Sequence, residues 1–212
     1  MEIYLRPTFY INFDHPRVKE FAESRCNASL SKREKAVQLY YAVRDEIRYD
    51  PYDFKLDRHN FTADSVLKKK SGYCVVKAVL LAGAARYHSI PARLGFADVR
   101  NHLSTPRLRE LMETDIFMYH GYTELHLEGR WVKATPAFNL SLCNHFNVKP
   151  LEFDGVNNSL FHEFDTLGNQ HMEYVKERGH FDDLPFEQIL EDCRIVYPRF
   201  FEKKNNPGKD FV

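Results

Sequence analysis

The pattern of hydrophobic and polar positions predicts helices in the first part of the chain. Residues Ile3 to Phe13 contain β-branched and aromatic side chains and predict a strand, after which Asp14 and Pro16 predict a helix running to about Ala28. The Ser31-Lys-Arg-Glu34 segment has the spacing of a capping box. The helix that it opens has one apolar stripe, which should pack on the core; the stripe consists of Ala36, Leu39, Tyr40, Val43 and Ile47.

The most apolar segment of the chain follows a Ser71-Gly72-Tyr73 turn. From Val75 to Ala85 nearly every residue is apolar or small, and Pro91 is the first proline after it. A helix that is apolar on almost all sides lies in the middle of a domain. The segment therefore predicts a central helix with Cys74 in its first turn, preceded by a short helix over 63–70.

Strand patterns dominate the next part of the chain. Ala92 to Val99 predicts one strand, and Phe117 to Leu127 predicts a second with period-two alternation. A turn at Gly129-Arg130 and a return strand over 131–134 complete a hairpin. A short helix over 107–113 should interrupt the two longer strands. Helices followed by an antiparallel sheet packed on the Cys74 helix define an α+β fold.

After Pro136 the pattern is weaker. Short apolar runs at 146–148 and 151–153 predict strands, 165–170 predicts a turn, and 185–192 predicts a helix. The aromatic-rich segment from Phe161 to Phe186 has no clear assignment and is a candidate cover for a cleft. The polar C-terminal tail should be frayed.

Composition excludes several classes of function. With 212 residues and 43% hydrophobic content, the chain fits a single domain over 1–212. Lys plus Arg and Asp plus Glu both number 30, so no broad field favours nucleic acid or an anionic membrane. No apolar run approaches the roughly 18 residues of a membrane span, and we expect a cytoplasmic protein. Four scattered cysteines without a CxxC pair argue against a disulfide framework or a cysteine-rich zinc site.

Cys74 is a candidate nucleophile because of its position at a helix N-terminus. The first-turn N–H groups have no partner within the helix, and the helix dipole is positive there. Both effects favour a thiolate and lower the pKa of the thiol. The same N–H groups could stabilise an oxyanion. The alternative is a structural cysteine, since free Cys is among the most buried residue types.

His120 is the candidate base for this thiol. A catalytic thiol needs an imidazole that takes its proton, and the imidazole needs a group that fixes its tautomer. His120 lies on the predicted strand over 117–127, and the return strand ends at Thr135-Pro136. With about 3.3 Å per strand residue, Thr135 falls within plausible reach of His120.

Two motifs together resemble the transglutaminase-like superfamily. Gly72-Tyr-Cys74, the apolar helix and Ser89-Ile-Pro-Ala-Arg93 resemble its cysteine motif. The segment from His120 to Pro136, HGYTELHLEGRWVKATP, resembles its histidine motif. The resemblance covers about residues 33–140 and leaves 141–212 as a C-terminal extension. It implies a papain-like fold in which Cys74 is the nucleophile, His120 the general base and later acid, and Thr135 the third member.

Thr135 departs from the family, which has an aspartate at this position. A threonine hydroxyl can accept the imidazole N–H, but it has no charge to stabilise an imidazolium. We therefore expect weakened activity, and Asp115, Glu124 or Asn139 could replace the missing carboxylate.

The family implies acyl transfer or amide hydrolysis on a protein, peptide or small amide substrate, without a cofactor or metal, and nothing in the sequence sets the oligomeric state. No calcium-binding loop motif is present. One alternative is a binding module that keeps the fold and has lost turnover. Another is a metal-dependent hydrolase that uses His120 and His126, for which further ligands such as His102 and His145 would be needed.

Overall fold

The computed structural model describes residues 1–53, 57–102, 105–160, 172–199 and 201. In chain order the helices are α1 (Pro16–Arg25), α2 (Lys32–Glu46), α3 (Ala63–Lys69), α4 (Cys74–Tyr87), α5 (Pro106–Met112), α6 (Leu140–His145) and α7 (Phe186–Val196). The strands are β1 (Arg48–Tyr49), β2 (Ser71–Gly72), β3 (Ala92–Asn101), β4 (Ile116–Leu127), β5 (Arg130–Ala134) and β6 (Met172–Phe181). Two short 3₁₀ helices lie at Glu2–Leu5 and Arg58–Phe61.

The main sheet has four antiparallel strands in the order β5-β4-β3-β6. The hairpin between β4 and β5 turns at Glu128 and Gly129, so that Thr123 lies opposite Ala134. β1 and β2 form a separate two-stranded parallel pair directly before α4. This arrangement of helices and an antiparallel sheet confirms the α+β class expected from the sequence.

Helix α4 is the centre of the molecule, as its sequence predicted. All of its residues from Cys74 to Arg86 are buried, and it contacts α1, α2, α3, β3 and β4. Two cationic side chains lie within this core because they hydrogen-bond to carbonyl oxygens: Lys77 donates to Arg44 and Ile47, and Arg86 donates to Ala92. Burial of polar groups in a core requires such partners.

Helix α2 also follows its sequence prediction. Ser31 and Glu34 form the complete capping box, in which each side chain bonds to the backbone of the other residue. The predicted stripe from Ala36 to Ile47 is buried. The N-terminal half of the domain is therefore built by local signals that a sequence can reveal.

Three strand predictions, one near the N-terminus and two after Pro136, are wrong. Residues 3–13 form no strand; a 3₁₀ helix at Glu2–Leu5 and turns replace it, because no described strand lies alongside to complete a ladder. No strand forms at 146–148 or 151–153, and α6 precedes an irregular segment instead. The predicted turn at 165–170 and the tail after 201 lie outside the described residues.

The sequence pattern does not predict strand β6, which lies within the segment from Phe161 to Phe186 proposed as a cover for a cleft. Its residues from Tyr174 to Glu177 are exposed, and charged residues dominate its sequence, which weakens any apolar alternation. It pairs with β3 from Leu94 to Asn101, with two irregularities in register. Backbone hydrogen bonds to a neighbour distant in sequence therefore define this strand.

No helix in the described part of the chain is long and apolar enough to cross a membrane.

Candidate active site

Cys74 is the first residue of α4, and the sheet approaches the helix closely at this point. The backbone N–H groups of Gly121 and Val75 favour a thiolate at the Cys74 sulfur and act to lower its pKa. A Cβ atom on Gly121 would lie 2.8 Å from the Cα of Val75, which is too close for any side chain. Gly121 therefore allows β4 to contact the tip of α4, and it brings its neighbour His120 to the thiol end of the helix.

The pKa of the Cys74 thiol is raised, whereas its position at a helix N-terminus predicts a lowered pKa. Burial raises the pKa of the Cys74 thiol to about 11, and the N–H groups of Gly121 and Val75 oppose this shift only in part. The cost of removing a thiolate from water outweighs the stabilisation that the helix N-terminus gives it, because the sulfur is enclosed by apolar side chains. The resting side chain at neutral pH is therefore a thiol, and reaction at sulfur requires a base that removes its proton.

A β-bulge in β4 directly precedes His120. Ala97 pairs with His120 and Val99 with Phe117, so two residues of β4 lie opposite Asp98 alone. One of them, Tyr119, has a left-handed backbone with φ of 54°. Bulges change the direction of side chains and are frequent beside active sites.

The bulge explains how β4 faces the cavity described below. Four consecutive residues, 117–120, line it, whereas a regular strand would present only alternate residues.

A buried ionic cluster holds this bulge in place. The Asp98 carboxylate accepts a hydrogen bond from the N–H of Tyr119 at 3.1 Å. It also accepts hydrogen bonds from Nε and Nη2 of Arg178 at 2.8 to 3.0 Å. Arg178 also contacts Asp192 at 2.8 Å, and the Tyr119 hydroxyl donates to Asp192 at 2.6 Å. The cluster joins β3, β4, β6 and α7. Sequence reasoning missed it because its members are far apart in the chain.

Cys74 and His120 line one cavity of about 330 Å³, which we call the Cys74 cavity. Tyr73, directly before Cys74, also lines this cavity. Trp131 on β5 lies elsewhere and packs against Tyr4 and His126. The structure thus places the two side chains proposed as nucleophile and base on the same cavity, although they are 46 residues apart in the sequence.

Thr135 lies directly after β5. Its N–H donates to the Ser159 carbonyl at 2.8 Å, and its own carbonyl accepts from the Tyr40 hydroxyl at 3.2 Å. The side chain is buried, and its Oγ1 has no hydrogen-bond partner among the described residues. The backbone of Thr135 is firmly held, and the role of its hydroxyl stays a prediction.

The three possible substitutes for the missing carboxylate have other partners. Glu124 pairs with Arg93, and Asp115 contacts Arg100 at 3.1 Å. Asn139 Oδ1 accepts the N–H of Tyr49 at 3.1 Å and so fixes the loop after β5 to β1.

The other cysteines and histidines that the structure describes form no metal site. Cys143 and Cys193 are buried and also line the Cys74 cavity, and Cys26 is half-buried. The ring of His126 packs on Trp131 with 5.2 Å between centroids. Within the ranges given above, no group of three or more His, Cys, Asp or Glu side chains could hold a metal ion.

The fold is of the α+β class, and its candidate site contains a cysteine and a histidine on one cavity. The sequence also places the chain in a family. The model of the transglutaminase-like superfamily matches residues 19–136. This match spans more than half of the chain, so the chain belongs to that superfamily. Membership supports, in general terms, a function of the cysteine-protease kind. No protein with a curated description matches the sequence significantly.

Two solved structures are similar in part. One is described as a candidate cysteine protease of Cytophaga hutchinsonii, with 14% identity and a TM-score of 0.49 over 84% of this chain. The other is described as a candidate protease of Parabacteroides distasonis, with 18% identity and a TM-score of 0.38 over 59% of this chain. The matched parts cover 53% and 25% of those two chains, so this chain spans about half the length of the first and a quarter of the second.

Proposed function

We propose that the protein is a cysteine-dependent acyl transferase or amide hydrolase. The observation that supports this most directly is the position of Cys74 and His120 on one cavity, with Cys74 at the N-terminus of a buried helix. His120 removes the thiol proton while the sulfur attacks a carbonyl carbon. First-turn N–H groups of α4 stabilise the resulting oxyanion.

The remaining steps follow from the same two residues. Collapse of the tetrahedral intermediate breaks the bond from carbon to the leaving amine or alcohol, and the imidazolium of His120 returns its proton to that group. A thioester on Cys74 remains. Water or a second amine then attacks the thioester, with His120 again as base, and the thiol is regenerated.

Two observations favour a second candidate function, a binding module without turnover. Thr135 has no negative charge to stabilise an imidazolium, and burial raises the pKa of Cys74 to about 11. Both would slow the chemical step.

Alkylation by iodoacetamide with peptide mass mapping distinguishes the two functions. Cys143 is the matched internal control, because it lines the same cavity and burial raises its pKa to about 11 as well. If His120 acts as base, Cys74 reacts at pH 7 much faster than Cys143, Cys193 and Cys26. The His120→Ala variant should then lose this advantage.

The pH dependence provides the second readout. In His120→Ala the alkylation of Cys74 should rise about tenfold per pH unit from pH 7 towards 10, because thiolate forms only as pH approaches the raised pKa. The native protein should show a much shallower rise. Equal rates for Cys74 and Cys143 in the native protein would favour the binding module.

A further inference from the structure

The wall of the Cys74 cavity has an unusual chemical composition for a site that would process peptides of any sequence. Among the described residues that line it, none is Asp, Glu, Lys or Arg. Most are aromatic or aliphatic; examples are Leu108 and Met112 on α5, Phe117 on β4, Leu142 on α6 and Phe146 directly after α6. A charged ligand would find no Asp, Glu, Lys or Arg counter-ion among these described residues.

Several hydroxyl groups on the wall are engaged in hydrogen bonds within the protein. The Tyr197 hydroxyl accepts the N–H of Met118 at 2.7 Å and donates to the Ile116 carbonyl at 2.9 Å. The Tyr119 hydroxyl donates to Asp192 at 2.6 Å. The hydroxyls of Tyr52 and Thr105 bond to each other at 2.8 Å. These aromatic residues therefore present their ring faces and edges to a ligand, with their hydroxyls engaged elsewhere.

The volume sets the size of the group that fits. A cavity of about 330 Å³ has room for about ten non-hydrogen atoms, at about 30 Å³ for each water-sized group. Pockets of this size and apolar character are typical of small-molecule sites.

We infer that the Cys74 cavity binds a neutral, apolar acyl group of about ten non-hydrogen atoms, such as a medium-length aliphatic or aryl-alkanoyl chain. Its carbonyl carbon lies at the Cys74 sulfur, and its chain lies along the α5 and α6 walls. This inference rests on the proposed function and gives the substrate class of the same site. Anionic acyl donors are rejected because their charge would lose its hydration without gaining a partner.

The first test compares p-nitrophenyl esters by kcat/KM. Hexanoate should exceed acetate by at least about tenfold, since each buried methylene is worth up to about fourfold. The glutarate monoester, which has a carboxylate at the chain end, should react more slowly than hexanoate by at least about tenfold. Equal rates for hexanoate and glutarate would overturn the inference.

Two substitutions, one on α6 and one directly after it, test which part of the cavity wall excludes anionic acyl groups. Phe146 lines the cavity and Leu140 does not, and each is 44% exposed, so an arginine should be tolerated at both positions. Phe146→Arg should raise the glutarate-to-hexanoate ratio by at least about tenfold, because it supplies the missing counter-ion. Leu140→Arg should leave this ratio unchanged. An equal shift in both variants, or none in Phe146→Arg, would contradict the assignment.

Binding without turnover separates this inference from the proposed function. In a Cys74→Ala variant, calorimetry should show that 4-phenylbutyramide binds at least about tenfold more tightly than glutaramate. If the amide binds selectively and the native protein hydrolyses no ester, the proposed function fails and the apolar site stands. If esters are hydrolysed and the two ligands bind equally, the apolar site fails and the proposed function stands.

Discussion

At the scale of single residues, Thr135 is the position where this chain departs most clearly from the resemblance. The resemblance aligns it with the family's aspartate, and its buried hydroxyl has no hydrogen-bond partner among the described residues. Hydrogen bonds between catalytic groups are often incomplete without substrate and tighten during reaction. A role in orienting His120 is therefore compatible with an unbonded hydroxyl in the free protein.

Replacement of Thr135 by valine separates this role from a structural one. Thr135→Val removes the hydroxyl and keeps the branched shape, so we expect the free energy of unfolding to stay equal or to rise by about 1 kcal/mol, because a buried unsatisfied hydroxyl is lost. The rate of Cys74 acylation should fall by up to about tenfold, since an orienting hydrogen bond is worth about 1 kcal/mol.

Thr135→Ser is the control for this substitution. It keeps the hydroxyl, so it should retain most of the native acylation rate while losing some packing. A native rate in Thr135→Val, measured by single-turnover kinetics, would show that the hydroxyl has no part in orienting the imidazole.

At the scale of elements, the bulge in β4 depends on partners from the C-terminal extension. Arg178 on β6 contacts both Asp98 on β3 and Asp192 on α7, and Asp98 in turn accepts the N–H of Tyr119 in the bulge. The charges are mostly removed from water: the Asp98 side chain is 7% exposed and that of Arg178 is 16% exposed. The position of His120 is thus linked to two elements beyond the region that resembles the family.

Arg178→Met should destabilise the protein by about 3 kcal/mol, because it leaves the Asp98 carboxylate buried without its cation. Lys176→Met on the same strand is the control; Lys176 is exposed, and its loss should change stability by no more than about 0.5 kcal/mol. Urea unfolding of both variants measures the difference. Equal unfolding free energies would mean that the cluster adds nothing to the stability of the bulge.

At the scale of the whole molecule, one hydrophobic core extends from Tyr10 to Phe201. It includes side chains of α7 and the adjoining C-terminal residues, such as Phe186, Leu190 and Tyr197, together with those of α4. β6 adds a fourth strand to the sheet beside β3. The extension therefore shares both the core and the sheet with residues 19–136, the part matched by the family.

We expect the chain to unfold in a single transition, as the sequence predicted for one domain over 1–212. Two probes in different parts of the chain test this. Fluorescence of Trp131, the one tryptophan, reports on β5, and reaction of the buried Cys193 thiol with a disulfide reagent reports on α7. Coincident urea midpoints would support a single cooperative unit. Exposure of Cys193 at clearly lower urea than the change at Trp131 would indicate that the extension unfolds separately.

Local signals explain the parts of the fold that the sequence predicted well. The capping box at Ser31, the continuous apolar run after Cys74, and the alternation in 117–127 with its glycine turn each act within a few residues. Their energies depend on neighbours along the chain, so the sequence alone determines these elements. The positions of Cys74 and His120 within them follow directly.

Tertiary structure alone decided the features that depend on distant partners. β6 is a strand because β3 offers it backbone hydrogen bonds, the left-handed Tyr119 persists because Asp98 and Arg178 hold it, and Cys74 has a raised pKa because distant apolar side chains exclude water. Each of these effects depends on contacts across many residues of chain, and neither periodicity nor motif spacing records such contacts. The sequence indicated which residues are candidates for reaction, and the packing around them decided the acidity of Cys74 and the chemical character of the cavity.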